Sequence, residues 1–136
     1  MSAHQITAEV VSIEAVTDYV KIVKMKPLEP AQFLAGQYLQ VVLSDDDKRI
    51  FSIASSPTSE FIELHIGAGP GDAYPQGALD HLAENKTVTL EIGLGHAHLN
   101  SASERPIVLM AGGTGFSYVK SIADYLAETK PFHTVL

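Results

Sequence analysis

Short runs of alternating apolar and polar residues fill most of the N-terminal part of the chain. This period of two is typical of half-buried β-strands, and residues suited to turns separate the runs. The predicted strands cover residues 6–16, 19–25, 37–43, 49–54, 61–67 and 87–92. Short strands at such close spacing predict a small antiparallel barrel or a sandwich. Between the last two strands, Leu79, Leu82 and Ala83 recur at helical spacing, which predicts a short helix over 77–84.

The pattern changes after a polar stretch at 100–104, which we interpret as a domain boundary. The apolar run 106–110 is bounded by Pro and Gly, as expected for a strand that is buried on both faces of a parallel sheet. Apolar residues then recur at helical spacing over 116–126, which predicts a helix with Thr114 as its N-cap. Residues 132–136 are predicted to open a further strand.

These patterns divide the chain into a barrel domain, residues 1–102, and the first β-α unit of an α/β domain, residues 103–136. A single β-α unit cannot bury both faces of its sheet. We therefore expect the C-terminal part to be a fragment of a larger domain. Its uncovered apolar surface predicts oligomerisation.

Composition narrows the classes of function. The chain has 136 residues, with 9 Lys+Arg against 16 Asp+Glu and a net charge of −7, which argues against general nucleic-acid binding. It contains no cysteine, which excludes disulfides, cysteine-ligated metal centres and thiol catalysis. The first residues show no secretory signal, and the longest apolar run, 107–111, is too short to span a bilayer. The expectation is a cytoplasmic protein that does not bind membranes.

A glycine-rich segment, Gly112-Gly113-Thr114-Gly115, opens the predicted C-terminal helix. In that position backbone N–H groups and the helix dipole can receive a pyrophosphate, and the missing side chains allow a close approach. The full dinucleotide-binding fingerprint is not met, because Tyr118 stands at its third glycine position. Nucleotide binding and a plain tight turn therefore both fit this segment.

The segment Arg49-Ile50-Phe51-Ser52 lies on the predicted fourth strand. Strand alternation places Arg49 and Phe51 on one face, and Ile50 and Ser52 on the other. By itself, this pattern favours a solvated surface arginine and an ordinary strand serine.

Three histidines are candidates for chemistry. His96 and His98 have the spacing of two metal ligands on one face, but the sequence supplies no third ligand, so a surface pair is favoured and no metal site is predicted. His65, on the predicted fifth strand, fits either a barrel histidine with satisfied hydrogen bonds or a residue that lines a ligand site. The aspartates at 45–47 predict a solvated hairpin tip.

Three motifs in order carry a resemblance to a known family: Arg-Ile-Phe-Ser-Ile-Ala-Ser at 49–55, Glu-Leu-His-Ile-Gly-Ala at 63–68, and Ala-Gly-Gly-Thr-Gly-Phe-Ser-Tyr at 111–118. With them the chain resembles the NAD(P)H-flavin reductases of the ferredoxin-NADP⁺ reductase-like superfamily over essentially its whole length. The resemblance implies a mainly β fold: a six-stranded antiparallel Greek-key barrel that binds flavin, followed by the start of an α/β domain that binds a nicotinamide nucleotide. Family members continue for about one more domain, so the resemblance implies a truncated chain.

The resemblance also implies roles for individual residues. Ser52 would be catalytic, donating a hydrogen bond to the flavin N5, and Phe51 and Ile53 would frame the ring. The flavin-binding set implied in full is Arg49, Ile50, Phe51, Ser52, His65, Ile66, Gly67 and Ala68. The phosphates of NADH or NADPH would be received by the glycine-rich segment, with Tyr118 near both ligands, which adds Gly112, Gly113, Thr114, Gly115 and Tyr118.

The implied activity is hydride transfer from NADH or NADPH to a weakly bound flavin, which would be FMN, FAD or riboflavin. The reduced flavin would pass to a flavin-dependent monooxygenase or luciferase. Relatives that hold FAD tightly carry Gly-x-x-Ser/Thr at the start of the barrel helix, whereas Asp80 stands at the Ser/Thr position here and would repel a phosphate. Two alternatives stay open: an FAD-containing electron-transfer reductase, and a non-catalytic flavin-binding or interaction module.

Overall fold

The computed structural model describes residues 3–131 and 134–136. These residues form one antiparallel sheet with strands β1 His4–Ala15, β2 Val20–Pro27, β3 Tyr38–Ser44, β4 Asp47–Ser52, β5 Ile62–Gly67 and β6 Thr87–Leu94. Two helices accompany it, α1 Ala73–Glu84 and α2 Phe116–Thr129. Every predicted strand of the barrel is confirmed to within a few residues, and α1 begins one turn before the predicted start.

The strands follow the order β4-β3-β6-β1-β2-β5 across the sheet. β6 returns to lie between β1 and β3, which separates the β1–β2 hairpin from the β3–β4 hairpin and gives a Greek-key order. The two edge strands of the sheet, β4 and β5, approach each other just after β4 ends. There the Ala54 N–H donates to the Glu63 carbonyl at 2.8 Å. The sheet therefore curls into a half-barrel, which confirms the predicted mainly β architecture.

The core lies inside this half-barrel, because the alternating apolar positions of each strand point inward. In β5, Ile62, Leu64 and Ile66 are buried in the core, while the residues between them face the other side. Helix α1 covers one end by inserting Leu79 and Leu82 into the same cluster. The barrel thus has a continuous apolar interior and a polar outer face on which a site can be built.

The C-terminal part departs from the expected buried strand. Residues 106–110 do not form a strand, and the pairing described there is an isolated parallel bridge between Ile107 and Val135. The side chains of Val108 and Met110 are 65% and 81% exposed. The prediction of a strand buried on both faces is therefore wrong, since the described segment 134–136 pairs along one edge and α2 packs on one side. Part of the predicted strand 132–136, residues 132 and 133, lies outside the described residues.

Helix α2 also begins differently from the prediction. Gly113, Thr114 and Gly115 form a 3₁₀ turn, and Gly115 is the N-cap of α2 without a side-chain capping bond. The prediction of Thr114 as the N-cap is wrong, because its residue lies within the preceding turn. None of the helices in the described ranges is long and apolar enough to cross a membrane.

Candidate functional site

The two faces of β4 separate its side chains as predicted. Phe51 packs against the barrel core, and the Arg49 side chain is only 18% exposed. Ile50 and Ser52 lie on the opposite face and are exposed. The Ser52 hydroxyl, at the end of the strand, is therefore open to a ligand, whereas the neighbouring Ile53 side chain is fully buried in the core and cannot frame a ring.

Arg49 is not the solvated surface charge that the bare pattern favours. Its Nε and Nη2 donate to the two carboxylate oxygens of Asp47 at 2.7 and 2.8 Å. Its Nη1 donates to the Tyr74 carbonyl at 2.7 Å, and its guanidinium carbon lies 5.1 Å from the centroid of the Tyr74 ring. Arg49 thus joins β4 to the first turn of α1, and Asp47 belongs to the strand rather than to the hairpin tip.

This ion pair shifts the pKa of both Asp47 and Arg49. The hydrogen bonds from Arg49 hold the pKa of the Asp47 carboxyl below its usual range, and the same bonds raise the pKa of Arg49. Tyr74 adds a second link, because its hydroxyl accepts the N–H of Ile50 at 2.7 Å on the outer edge of β4. The edge strand is therefore closed off by α1 at this point.

Strand β5 lies beside the glycine-rich segment. A Cβ placed on Gly67 would come within 3.2 Å of the Thr114 side chain. The His65 ring stacks against Phe116, with ring centroids 6.4 Å apart and planes 11° from parallel. Since Ile66 is fully buried, β5 presents only its backbone and the outward residues at this face. The structure thus brings together the sequence motifs at 63–68 and 111–118.

The glycine-rich segment is open on its outer side. Gly112 and Gly115 lie in ordinary backbone regions, whereas Gly113 has a φ of +57°, the left-handed region that favours glycine. A Cβ on any of these three glycines would meet no described atom within 4 Å. A ligand can therefore approach the backbone of this turn, in which the Gly115 N–H already donates to the Gly112 carbonyl at 3.1 Å. Tyr118 lies one turn further on and packs in a small apolar cluster with Ile122 and Leu126.

A partly buried polar network between β5 and α2 is the part of the site that sequence reasoning missed. The Glu63 carboxylate lies 2.6 Å from His65 Nε2 and 3.5 Å from Lys120 Nζ. Lys120 also donates to Asp124 at 2.8 Å and to the Ala54 carbonyl at 3.3 Å. Glu63 lies on the outward face of β5, where a charged residue is ordinary, and its partner Lys120 lies far along the chain, so no signal of this contact was present in the sequence.

The charges in this network change the pKa of Lys120. Burial alone lowers it, but the hydrogen bond to Asp124 and the negative charge of Glu63 together raise the pKa of the Lys120 ammonium above its ordinary value. The next residue of α2, Ser121, has a fully buried hydroxyl that donates to the Ser55 carbonyl at 2.7 Å. The hydrogen bonds from Lys120 to Ala54 and from Ser121 to Ser55 hold α2 onto the segment that follows Ser52.

A cleft of about 390 Å³ opens at the end of β5. It begins at Ala68, whose N–H donates to the Tyr19 carbonyl at 2.7 Å. Acidic and small residues make up most of its lining: Asp18, Tyr19, Ala68, Gly69, Pro70, Gly71, Asp72, Ala73 and Gln76. His96 and His98 lie elsewhere, beside a second cleft of about 530 Å³, and no group of three or more potential metal ligands was found within the described ranges.

Comparisons with solved structures define the class of this fold. A cytochrome P450 reductase from Amycolatopsis superposes on 98% of this chain with a TM-score of 0.83 and 29% identity, and 42% of that protein is covered. The ferredoxin reductase in carbazole 1,9a-dioxygenase superposes on 93% of the chain with a TM-score of 0.79 and 26% identity, and 41% of it is covered. The chain therefore has the ferredoxin-reductase-like fold, as the sequence resemblance implied.

Sequence comparison gives the more particular relationship. The chain is 41% identical to the NAD(P)H-flavin reductase of Vibrio harveyi over 132 residues, which cover 92% of this chain and 56% of that protein. It is thus a homologue of the NAD(P)H-flavin reductases, and the resemblance is confirmed. It spans about half the length of the curated relatives that it matches. A scan against protein-family models found no match.

Proposed function

We propose that this chain is the flavin-binding part of an NAD(P)H-dependent flavin reductase, with the first dinucleotide-binding turn attached. In this proposal residues 1–102 form the flavin domain and residues 103–136 begin the nucleotide domain. FMN, FAD or riboflavin would be a weakly held substrate, and NADH or NADPH the reductant. The homology to NAD(P)H-flavin reductases supports this assignment.

The contact between β5 and the glycine-rich turn is the observation that carries the proposal. Flavin is proposed to lie against the end of β4 and the backbone of His65, Ile66, Gly67 and Ala68. Thr114 lies directly against Gly67, and Phe116 stacks on His65. A nucleotide whose phosphates sit on the Gly112–Gly115 turn would therefore begin next to the flavin.

The residues present fit a flavin ring and define what the chain contributes. Ser52 offers an exposed hydroxyl at the end of β4, and a cleft opens separately where β5 ends at Ala68. The two cofactors supply the hydride chemistry when they are bound. The Ser52 hydroxyl would donate to N5, which orients the ring and places a fixed dipole where charge changes.

Replacement of Ser52 tests this role. Ser52→Ala should lower kcat/KM for NAD(P)H oxidation in the full-length protein by about 100-fold, the size of effect seen when one oriented donor is removed. In the 136-residue chain, flavin binding measured by fluorescence quenching should weaken. The matched control is Ser44→Ala, since Ser44 is an exposed serine on the adjacent strand. Equal activity in Ser52→Ala and Ser44→Ala would remove Ser52 from the mechanism.

A second candidate is an electron-transfer reductase that holds FAD tightly and serves an oxygenase system. The two structural neighbours, a cytochrome P450 reductase and a ferredoxin reductase, favour it. The first turns of α1 argue against tight binding of an FAD phosphate, because Ala78 and Leu79 are buried there and Asp80 carries a negative charge. The colour of the purified protein distinguishes the two candidates. Tightly held FAD gives a yellow protein, whereas a weakly bound flavin substrate gives a colourless one.

The acceptor of the product and the assembly state belong to the same proposal. Released reduced flavin would serve a flavin-dependent monooxygenase or luciferase.

Exposed apolar side chains at Val108, Met110 and Leu136 favour self-association of this chain. Light scattering over a range of concentrations should detect oligomers, and a monomer at every concentration would count against association. A chain that binds flavin without oxidising NAD(P)H would be a non-catalytic module.

A further inference from the structure

We propose that the outward face of β5 fixes the position of the glycine-rich turn, with Glu63 and His65 as positioning residues. The inference rests on the proposed function, because its consequence is the separation between a flavin on β5 and a nucleotide on the turn. It assigns the His65 imidazole to contacts with α2 and leaves only the backbone of that residue to the flavin.

Three outward residues of β5 each meet one residue of the segment that runs from the glycine-rich turn into α2. The pairs, in order along β5, are Glu63 with Lys120, His65 with Phe116, and Gly67 with Thr114. The residue numbers rise along β5 while they fall along the other segment. The two segments therefore lie side by side in opposite directions, and the turn meets the end of β5.

The spacing of these contacts follows from the geometry of a strand and a helix. Alternate residues of a strand are about 6.7 Å apart. Residues four positions apart on one helix face are about 6 Å apart along the axis. Glu63 and His65 differ by two positions, and their partners Lys120 and Phe116 differ by four. The two rows of side chains therefore match to within about 1 Å, which fixes one register of α2 on β5.

The His65 side chain is held from two directions. Its Nε2 N–H donates to Glu63 Oε2 at 2.6 Å, since a carboxylate oxygen accepts. Its ring lies 11° from parallel to the Phe116 ring, with the centroids 6.4 Å apart, which is an offset stack. Only 11% of the His65 side chain is exposed. The imidazole is therefore engaged by the chain itself and holds the first residue of α2.

Glu63 determines how His65 is oriented, and it is fixed on several sides. Its carboxylate faces the Lys120 ammonium at 3.5 Å and is 15% exposed. Its backbone N–H donates to Ser55 Oγ at 3.0 Å, and its carbonyl accepts from the Ala54 N–H at 2.8 Å. Loss of the Glu63 carboxylate would therefore release the His65 ring and leave Lys120 with one carboxylate partner fewer.

The row formed by Glu63, His65, Phe116 and Lys120, here termed the β5–α2 contact, has a direct consequence for hydride transfer. A Cβ on the glycines of the turn would meet no described atom within 4 Å, so the turn has no support on its outer side among the described residues. Reacting atoms must come within about 3–3.5 Å of each other, and a displacement of about 1 Å can cost about 100-fold in rate. The β5–α2 contact thus sets a distance on which the rate depends.

A single tryptophan can report this contact directly. The chain contains no tryptophan, so Phe116→Trp places one fluorescent ring on His65. Glu63→Ala in that background should raise the acrylamide quenching constant by up to about twofold, because half of the Phe116 side chain is already exposed. His65→Ala should have the same effect. The matched control is Glu91→Ala, which removes a carboxylate paired with Lys48 at 2.7 Å within the sheet and should leave the quenching unchanged.

Kinetics of the full-length protein test the positioning role. His65→Ala should lower kcat for NAD(P)H oxidation by about tenfold per folded site, while the KM for flavin changes less than about twofold. His65→Phe keeps a flat ring against Phe116 and should recover most of the rate. Circular dichroism melting verifies the fold, and flavin titration counts the sites. A merely structural contact would lower the melting temperature and leave kcat per site unchanged.

The outcomes separate this inference from the proposed function. Unchanged quenching in both Glu63→Ala and His65→Ala would overturn the β5–α2 contact as the support of the turn, and so would an equal rise in Glu91→Ala. Unchanged kcat per site in His65→Ala, with an active wild type, would overturn the positioning role alone. Wild-type full-length protein that oxidises no NAD(P)H with any flavin would overturn the proposed function and, with it, this role.

Discussion

Helices α1 and α2 are attached to the same half-barrel by different kinds of contact. Helix α1 inserts Leu79 and Leu82 into the main apolar core. Helix α2 buries Ile122 and Leu126 in a much smaller cluster and relies on hydrogen bonds to the backbone of residues 54–55. Apolar burial is non-directional, whereas a hydrogen bond to one carbonyl sets a position. The first attachment therefore supplies stability, and the second sets where the glycine-rich turn lies relative to β5.

The largest expected effect comes from truncating the two apolar anchors. Leu82→Ala should lower the free energy of unfolding by about 3 kcal/mol, because it leaves a cavity inside a closed core. Leu126→Ala should cost about half as much, since its partly exposed neighbours can move into the space. Urea unfolding followed by circular dichroism measures both. A cost at Leu126 equal to that at Leu82 would show that the two helices are held in the same way.

An intermediate effect is expected from the buried hydroxyl of α2. Ser121→Ala should cost about 1.5 kcal/mol, because the Ser55 carbonyl loses its buried donor. The matched control is Ser117→Ala on the same helix. The Ser117 hydroxyl is buried without a hydrogen-bond partner among the described residues, so its removal should be neutral or stabilising. The comparison fails if the two variants unfold at the same urea concentration.

The smallest effect, and the one that depends on pH, is expected at Lys120. Lys120→Met should cost about 1 kcal/mol at neutral pH, since it removes a partly exposed cation from Glu63 and Asp124. The folded pKa of Lys120 is raised, so its contribution is complete below the unfolded pKa and is lost as the pH rises through the higher folded value. The difference from wild type should thus shrink in alkaline solution. A constant difference up to about pH 11 would contradict this linkage.

Local patterns were sufficient for the barrel but not for the C-terminal part. The alternation in β5 placed Ile62, Leu64 and Ile66 on one face, and all three are buried there. The same reasoning gave the wrong burial at 106–110, because an apolar run does not show how many faces have a covering layer. The described structure leaves Met110 exposed, although its run has the composition of a central strand.

The amino-acid sequence by itself determined the number of barrel strands, their inward faces and the opposite directions of Arg49 and Ser52, because strand periodicity is a property of neighbouring residues. Only the tertiary structure decided which groups those side chains meet. Ser121 and Ser55 are 66 positions apart, and their hydrogen bond exists only once α2 lies on the barrel. Arg49 reaches the Tyr74 carbonyl only because α1 begins beside β4. Partners that are distant along the chain leave no periodic signal, since they depend on how the finished layers pack together.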